Sequence, residues 1–214
     1  KLFIVFKYLD VGKVRGDLRF NSTLKGFVEV FSSKTSRTYT IAAGLIFGIL
    51  VSFLNIAQPL FQEFLMVGKN FALYFGLGAL SVGIGAIINA RIVTIINPKK
   101  IVLIALYLTA IWSIFFYSLI FFNLKINVIN VMIFLIPVFF LFGLLFGNMN
   151  ALALTPMGHI AGTASAVIGT TSIAIAIPIG SIIAHYYRGP IDMFVQLIII
   201  ISLINILLVR KIRY

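Results

Sequence analysis

The sequence predicts an all-α membrane protein with six transmembrane helices. The 214-residue chain is 61% hydrophobic and only 10% charged, whereas a soluble domain carries roughly a quarter charged residues. Its mean hydropathy is +1.14. Its apolar residues form runs long enough for membrane-crossing helices, which need about 20 residues each. These runs lack the alternating polarity that marks the strands of a membrane β-barrel.

Six apolar segments follow one another along the chain. Clusters of polar, Pro and Gly residues separate them, as at residues 97–100 and 188–190, because such clusters end helices. The predicted spans are residues 39–61, 70–95, 101–122, 128–151, 160–187 and 191–209.

The distribution of basic residues predicts the orientation. Of the 17 Lys and Arg residues, eight precede the first span, three lie between spans two and three or next to that connection, and three follow span six. Lys69, Lys125 and Arg188 remain for the other side. Because Lys and Arg concentrate in cytoplasmic loops, we expect a multi-pass protein of the inner (plasma) membrane with both ends in the cytoplasm.

Residues 1–38 are predicted to form a basic cytoplasmic linker ahead of a bundle at 39–214. Within the linker, residues 22–36 place apolar side chains at helical spacing, with Lys25 and Lys34 outside that face. This pattern favours an amphipathic helix on the inner membrane surface, with a flexible basic linker as the alternative. The apolar positions are Leu24, Phe27, Val28 and Phe31.

Small residues recur at steps of three and four in spans two and five, which predicts close helix packing, since packing in lipid depends on small side chains. Span five carries the stripe Gly162, Ser165, Gly169, Ser172 and Ala176. Span two carries Ala72, Gly76, Ala79, Gly83, Ala86 and Ala90. We predict packing seams at Gly76, Gly83, Gly143, Gly147, Gly162 and Gly169. Spans three and six contain no glycine and are predicted to face lipid.

The two halves of the chain also echo each other. Residues 47–50 with Asn55 match residues 142–145 with Asn150 at the same offset, and a proline follows each group. A repeat of three spans must be inverted in the membrane, and inverted repeats are typical of secondary transporters.

Polar side chains at membrane depth are costly and mark functional sites. For Asn55 and Gln58 the alternatives are a substrate contact and a hydrogen bond to a neighbouring helix. For Asn148 and Asn150 they are a gate and packing. The candidates for a substrate cavity are Asn55, Gln58, Phe139, Asn148, Asn150, Ser165 and Thr170.

The titratable groups give little support to catalysis. With no cysteine in the chain, thiolate chemistry and cysteine metal sites are excluded, and no metal or cofactor is predicted. An intramembrane serine protease is a remote alternative. Ser165 and His185 stand on one helix about 30 Å apart at 1.5 Å per residue, His159 lies on another face, and no acid is close in sequence to orient either histidine. We therefore expect no enzyme, and no nucleic-acid binding, because the basic residues flank apolar runs.

Three segments resemble the C-terminal half of the major facilitator superfamily, most closely the bicyclomycin and chloramphenicol resistance group of drug:proton antiporters (Bcr/CflA type). "GHIAGTASAVIG" at 158–169 resembles the start of that family's eleventh helix. "NARIV" at 89–93 with Lys99 and Lys100 is similar to the basic connection after its eighth helix, so Asn89, Arg91, Lys99 and Lys100 are taken as a cytoplasmic loop motif. "PLFQEFL" with "NFALYFGLGAL" resembles the end of its seventh helix and the start of its eighth.

The resemblance implies one half of a major facilitator fold, with an N-terminal six-helix half outside this chain. Two such bundles would alternate access to a central cavity and export small amphipathic compounds, including drugs, against protons. Spans one, two, four and five would line the cavity. No carboxylate lies between Glu63 and Asp192, so the titrating acid is expected in the other half, with Glu63 an interfacial charge rather than a proton carrier. A carrier of a sugar or other metabolite is the alternative.

Overall fold

Six long apolar helices follow a short first helix in the computed structural model, which describes residues 20–123 and 125–212. A π-helical turn, Pro59–Phe64, extends the second helix, and 3₁₀ turns at Gly68–Asn70 and Thr155–Ile160 precede the third and sixth. No strand occurs in these ranges. The helices are α1 (Phe20–Ser32), α2 (Lys34–Gln58), α3 (Phe71–Ile92), α4 (Pro98–Phe121), α5 (Val128–Leu154), α6 (Ala161–Tyr186) and α7 (Asp192–Arg210).

The six predicted apolar helices are confirmed as α2 to α7, with bounds close to the predicted ones. Five continuous helical segments of the described chain are long and apolar enough to cross a membrane, and one of them, Val128–Tyr186, contains both α5 and α6. The chain is therefore a helical protein with the features of a membrane bundle.

Asparagine side chains cap the starts of α4 and α5. The Asn97 side chain accepts a hydrogen bond from the backbone N–H of Lys99 at 2.9 Å, and Pro98 opens α4. Asn127 caps α5 in the same way through Asn130 N–H, at 2.9 Å. Such residues satisfy backbone donors that a helix start leaves unpaired.

The first helix confirms part of the prediction for residues 22–36. Phe20–Ser32 is helical, so the flexible-linker alternative is wrong for this stretch. The helix ends earlier than predicted because Ser33 caps α2 through the N–H of Ser36. Residues 1–19 of the predicted linker lie outside the described residues.

The packing of the bundle is symmetric under exchange of α2–α4 with α5–α7. The two most extensive contacts are α2 with α6 and its counterpart, α5 with α3. The contact of α4 with α5 likewise corresponds to that of α7 with α2, and the exchange maps the α4–α7 and α2–α5 contacts onto themselves. This correspondence of contacts agrees with the three-helix repeat predicted from the sequence.

Four glycines occupy equivalent places in this repeat. Gly48 and Gly143 are 95 residues apart, and so are Gly85 and Gly180. A Cβ at Gly48 would lie 2.7 Å from Ile179 of α6, and one at Gly180 would lie 2.5 Å from Val51 of α2. In the equivalent interface, a Cβ at Gly85 or Gly143 would lie 2.1 or 2.3 Å from a carbonyl oxygen of the facing helix.

The predicted packing seams are only partly correct. Gly143 packs against the α3 backbone, and a Cβ at Gly147 would meet Asn89 at an ordinary 3.5 Å. The other four positions are wrong as seams within this bundle, because a Cβ there would meet no described atom within 4 Å: Gly76, Gly83, Gly162 and Gly169.

The physical reason is the rotation of each helix. In α3 a second stripe, which also has helical spacing, is the buried one, and it consists of Gly78, Ser81, Gly85 and Asn89. The predicted α3 stripe is exposed along its whole length. In α6 only the part of the stripe at Ser172 and Ala176 is buried against its neighbours.

Helices α4 and α7 each have one buried and one exposed side. Their exposed sides are almost entirely large and apolar, including Ile111 and Phe115 on α4 and Leu203 and Leu207 on α7. Their buried sides carry polar residues, among them Thr109 and Asn205. The centre of the bundle belongs to α2 and α5, which supply most of its largest buried rings: Tyr39, Phe134, Phe139 and Phe142.

Candidate functional site: an exposed polar face and crevice

The polar face of the described bundle is defined here by four polar residues on the long apolar helices: Asn55 and Gln58 of α2, Asn150 of α5 and Ser165 of α6. All four residues are exposed. The exposed sides of α4 and α7 offer mainly Ile, Leu and Phe instead. Because an uncompensated polar side chain is unfavourable in hydrocarbon, the polar face is the side suited to water, a ligand or another protein surface.

A crevice opens next to the polar face, between α2, α5 and α6. Its volume is about 310 Å³, at the lower end of the range of about 300–1,000 Å³ that is typical of small-molecule pockets. The rings of Phe47 and Phe146 meet edge to face, with centroids 6.1 Å apart. The residues that line it are Ala43, Phe47, Phe146, Asn150, Gly169, Ser172 and Ile173.

The polar groups of the crevice are few and uncharged. The Asn150 amide donates a hydrogen bond to the Phe146 carbonyl at 3.0 Å, which fixes the side chain at the rim. Ser172 donates to the Thr40 carbonyl across the α2–α6 interface at 3.4 Å. The crevice therefore presents aromatic walls and one oriented carboxamide, which is chemistry suited to an apolar compound with a hydrogen-bonding group.

Asn55, Gln58 and Ser165 remain available on the polar face. Among the described residues, their side chains make no hydrogen bond to a neighbouring helix. The Asn55 amide nitrogen lies 3.1 Å from where a Cβ of Gly180 would stand. The absence of side-chain volume at Gly180 thus leaves room for this amide beside α6.

Three predicted cavity residues lie elsewhere. Phe139 is wrong as a cavity residue, because its ring is 1% exposed and packs between Phe53 and Gly78. Thr170 does not reach the crevice; it faces α1, where it lines a separate cleft with Phe27. The difference arises because residues 169 and 170 are about 100° apart around a helix.

Asn148 is the third of these residues, and the structure supports packing rather than a substrate contact. It is 2% exposed. Its amide donates to the Asn89 side-chain oxygen at 2.6 Å and to the Leu144 carbonyl at 2.8 Å. The Asn89–Asn148 pair therefore joins α3 to α5 inside the bundle.

This pair also corrects the predicted cytoplasmic loop motif. Asn89 is buried in α3 rather than placed in the loop. Arg91 and Lys100 are exposed, and the Lys99 amine donates to the Ile212 carbonyl, which fastens the start of α4 to the end of α7. The motif is thus divided between a buried helix contact and exposed basic residues.

Two side-chain contacts could not be predicted from the sequence. The His159 side chain meets the Glu29 carboxylate of α1, a partner 130 residues away. The expectation that no acid orients His159 is therefore wrong, although Ser165 makes no hydrogen bond to this histidine in the described chain. The Trp112 indole N–H donates to the Phe134 carbonyl at 3.3 Å, which joins α4 to α5.

A second hollow lies beside the connection between α6 and α7, at the other end of the bundle from the crevice. Its volume is about 330 Å³, and it is lined by Pro59, Glu63, Phe64, Tyr187, Arg188 and Gly189. Burial raises the pKa of the Tyr187 hydroxyl, and the carboxylates of Asp192 and Glu63 raise it further. Tyr187 accordingly stays protonated and donates to the Gly189 carbonyl.

Comparison of the chain with family models, curated proteins and solved structures gives no match. The structural observations that bear on function are those of the chain itself. They are the symmetric six-helix packing, the polar face and the crevice. Within residues 20–123 and 125–212, no group of three or more His, Asp or Glu side chains is placed to hold a metal ion.

Proposed function

We propose that this chain is one six-helix bundle of a secondary active transporter of the major facilitator type. In this proposal it exports small amphipathic compounds by proton antiport through alternating access. The polar face and the crevice line a central cavity that a second six-helix bundle completes. The motif resemblances at 89–93 and 158–169 support this family, and the three-helix repeat agrees with the inverted repeats of such carriers.

The main support for the proposal is the difference in polarity between the exposed sides of the helices. The exposed sides of α4 and α7 are aliphatic and aromatic, as lipid contact requires. The exposed sides of α2, α5 and α6 carry carboxamides and hydroxyls beside their apolar residues, and a Cβ at Gly162 or Gly169 would meet no described atom within 4 Å. Polar groups at membrane depth belong at protein contacts or water-filled cavities, and a transporter cavity provides both.

The crevice supports a small amphipathic substrate. Phe47 and Phe146 supply apolar contact, and Asn150 supplies an amide for one hydrogen bond. No charged side chain lines the crevice. Since the sequence has no carboxylate between Glu63 and Asp192, the proton-carrying acid is assigned to the second bundle.

Inverted membrane vesicles that contain the full protein test this function. With an imposed proton gradient, addition of a substrate should release protons, and a pH-sensitive dye should record the change. Asn150→Leu and Asn55→Leu should each lower the rate at least several-fold. The matched control is Ile111→Ala on the exposed side of α4, which should leave transport unchanged. Equal effects of all three substitutions would argue against a cavity on the polar face.

A carrier of a sugar or other metabolite is the second candidate. The observation that favours it is the exposed pair of amides, Asn55 and Gln58, since amides suit a ligand rich in hydroxyl groups. The same vesicles distinguish the two functions. Gradient-driven accumulation of a labelled nutrient, without any response to amphipathic compounds, would support the metabolite carrier and contradict drug export.

A further inference from the structure

Helix α1 has three distinct sides. At about 100° per residue, Gly26 and Val30 share one side, and both are buried against the bundle. The next side is apolar yet exposed: Leu24, Phe27 and Val28 are 52%, 46% and 59% exposed. The remaining side carries Lys25 and Ser32, which are exposed and polar.

Contacts with α6 and the turn before it fix the direction of these sides. Gly26 lies so close to α6 that a Cβ there would stand 2.5 Å from the Thr163 methyl carbon. The Glu29 carboxylate meets the His159 side chain in the turn that precedes α6. Val30 is fully buried. Rotation of α1 about its axis would break all three contacts, so its apolar side has one fixed direction.

A narrow cleft separates the apolar side of α1 from α6. Its volume is about 160 Å³, and its lining is mainly apolar: Phe27, Ala166, Val167, Thr170 and Thr171. A space of this size is well below the range of about 300–1,000 Å³ for small-molecule pockets. A hydrocarbon chain fits a space of this volume, whereas another helix does not.

We propose that the apolar side of α1 inserts into the cytoplasmic leaflet of a bilayer with anionic headgroups, and that α1 thereby anchors the first turns of α6 to that leaflet. Leu24, Phe27 and Val28 enter the acyl region, and an acyl chain fills the cleft beside Phe27. Lys25 and Lys34 remain at headgroup level. This proposal stands independently of transport, since it concerns only α1 and its contacts.

Charge complementarity identifies the occupant as lipid. Ahead of the first predicted span the sequence has eight Lys and Arg residues against three acids, Asp10, Asp17 and Glu29. Basic residues close to an anionic membrane surface are attracted to it. An apolar side next to a basic, polar side is the arrangement of helices that lie in the membrane interface.

Single-cysteine labelling tests the proposal, because the native chain has no cysteine. The full protein carrying Val28→Cys or, as the matched control on the polar side, Lys25→Cys is labelled with an environment-sensitive fluorophore. Both variants are reconstituted into vesicles containing phosphatidylglycerol. The label at position 28 should be quenched by nitroxides on lipid acyl chains and resist aqueous iodide, and the label at position 25 should show the reverse.

The same experiment separates the other possible occupants. A label at position 28 that resists iodide but is not quenched by lipid nitroxides would mean that protein covers this side, and would overturn the proposal. Equal iodide quenching at both positions would also overturn it. Quenching by lipid nitroxides should weaken when phosphatidylcholine replaces phosphatidylglycerol, and an unchanged signal would refute the role of anionic headgroups.

Discussion

Gly143 lies where α5 comes into direct contact with the backbone of α3. A Cβ there would stand 2.3 Å from the Val82 oxygen and 2.7 Å from the Ala86 nitrogen. Both atoms belong to the backbone of α3, which cannot yield by a change of side-chain rotamer. We expect Gly143→Ala to lower the stability of the protein by about 1–3 kcal/mol, the usual cost of overpacking, as measured by unfolding in mixed micelles.

The control for this substitution is Gly76→Ala. A methyl group at Gly76 would meet no described atom within 4 Å, and alanine is favoured over glycine in a helix by roughly 0.5–1 kcal/mol. The Gly76 variant should therefore be as stable as the native protein or slightly more stable. A similar loss of stability in both variants would contradict the assignment of Gly143 to a backbone contact.

The Asn89–Asn148 pair gives a second prediction for single residues. Asn148→Leu leaves the Asn89 oxygen without its 2.6 Å partner inside the bundle. Hydrogen bonds between membrane helices contribute about 0.6 kcal/mol on average, and an orphaned buried acceptor costs about 1–3 kcal/mol. The single variant should thus lose about 1–2 kcal/mol. The double variant Asn89→Leu with Asn148→Leu should lose less than the sum of the two single losses; strict additivity would mean that the pair is not coupled.

Residue type and spacing were sufficient to predict some of these positions but not others. Asn148 stood out because it is polar within an apolar run, and Gly143 because it recurs at the offset of Gly48. Phe139 gave no such signal, since one ring among 21 Phe residues can serve the core or a cavity equally well. Contacts between distant residues, such as Glu29 with His159, depend on how the helices are arranged.

At the scale of the helix, the sequence predicted extent well and rotation poorly. The length of the apolar runs and the polar, Pro and Gly residues between them predict where α3 and α6 begin and end, and these features are local. Helix α3 has two small-residue stripes, one through Gly76 and Gly83 and one through Gly78 and Gly85. Both satisfy the helical period, and only the position of α5 decides which is buried.

The exposed sides of the helices give a prediction that cysteine labelling can test. If the polar face borders a water-filled cavity, Ser165→Cys on α6 should react with a membrane-impermeant maleimide in vesicles. Ile111→Cys on α4 should not, because its exposed, apolar surroundings are suited to lipid. A bound substrate should lower the rate at which the maleimide modifies the cysteine at position 165. Equal reactivity at both positions would contradict the assignment of the two sides.

At the scale of the whole molecule, the repeat is the feature that sequence and structure share most clearly. The match of residues 47–50 with 142–145 predicted it, and the exchange of helix contacts agrees with it. Gly85 and Gly180 extend the correspondence at the same offset of 95 residues that separates Gly48 from Gly143. These two positions were missed because their surrounding residues are aliphatic and differ between the halves, so only the fold shows their equivalence.

The orientation of the whole chain in the membrane is the remaining prediction. Six helices that each cross the bilayer once put both ends on the same side. The three basic residues that follow the sixth predicted span, Arg210, Lys211 and Arg213, agree with the eight that precede the first predicted span in assigning that side to the cytoplasm. In a bacterial host, alkaline phosphatase fused after Arg188 should be active, because this enzyme folds only outside the cytoplasm, and the same enzyme fused after Tyr214 should be inactive. A fluorescent protein fused after Tyr214 should be bright. Phosphatase activity of the Tyr214 fusion, with none for the Arg188 fusion, would show the opposite orientation. Lys99 and Lys100 would then lie on the outer side, contrary to the preference of basic residues for the cytoplasm.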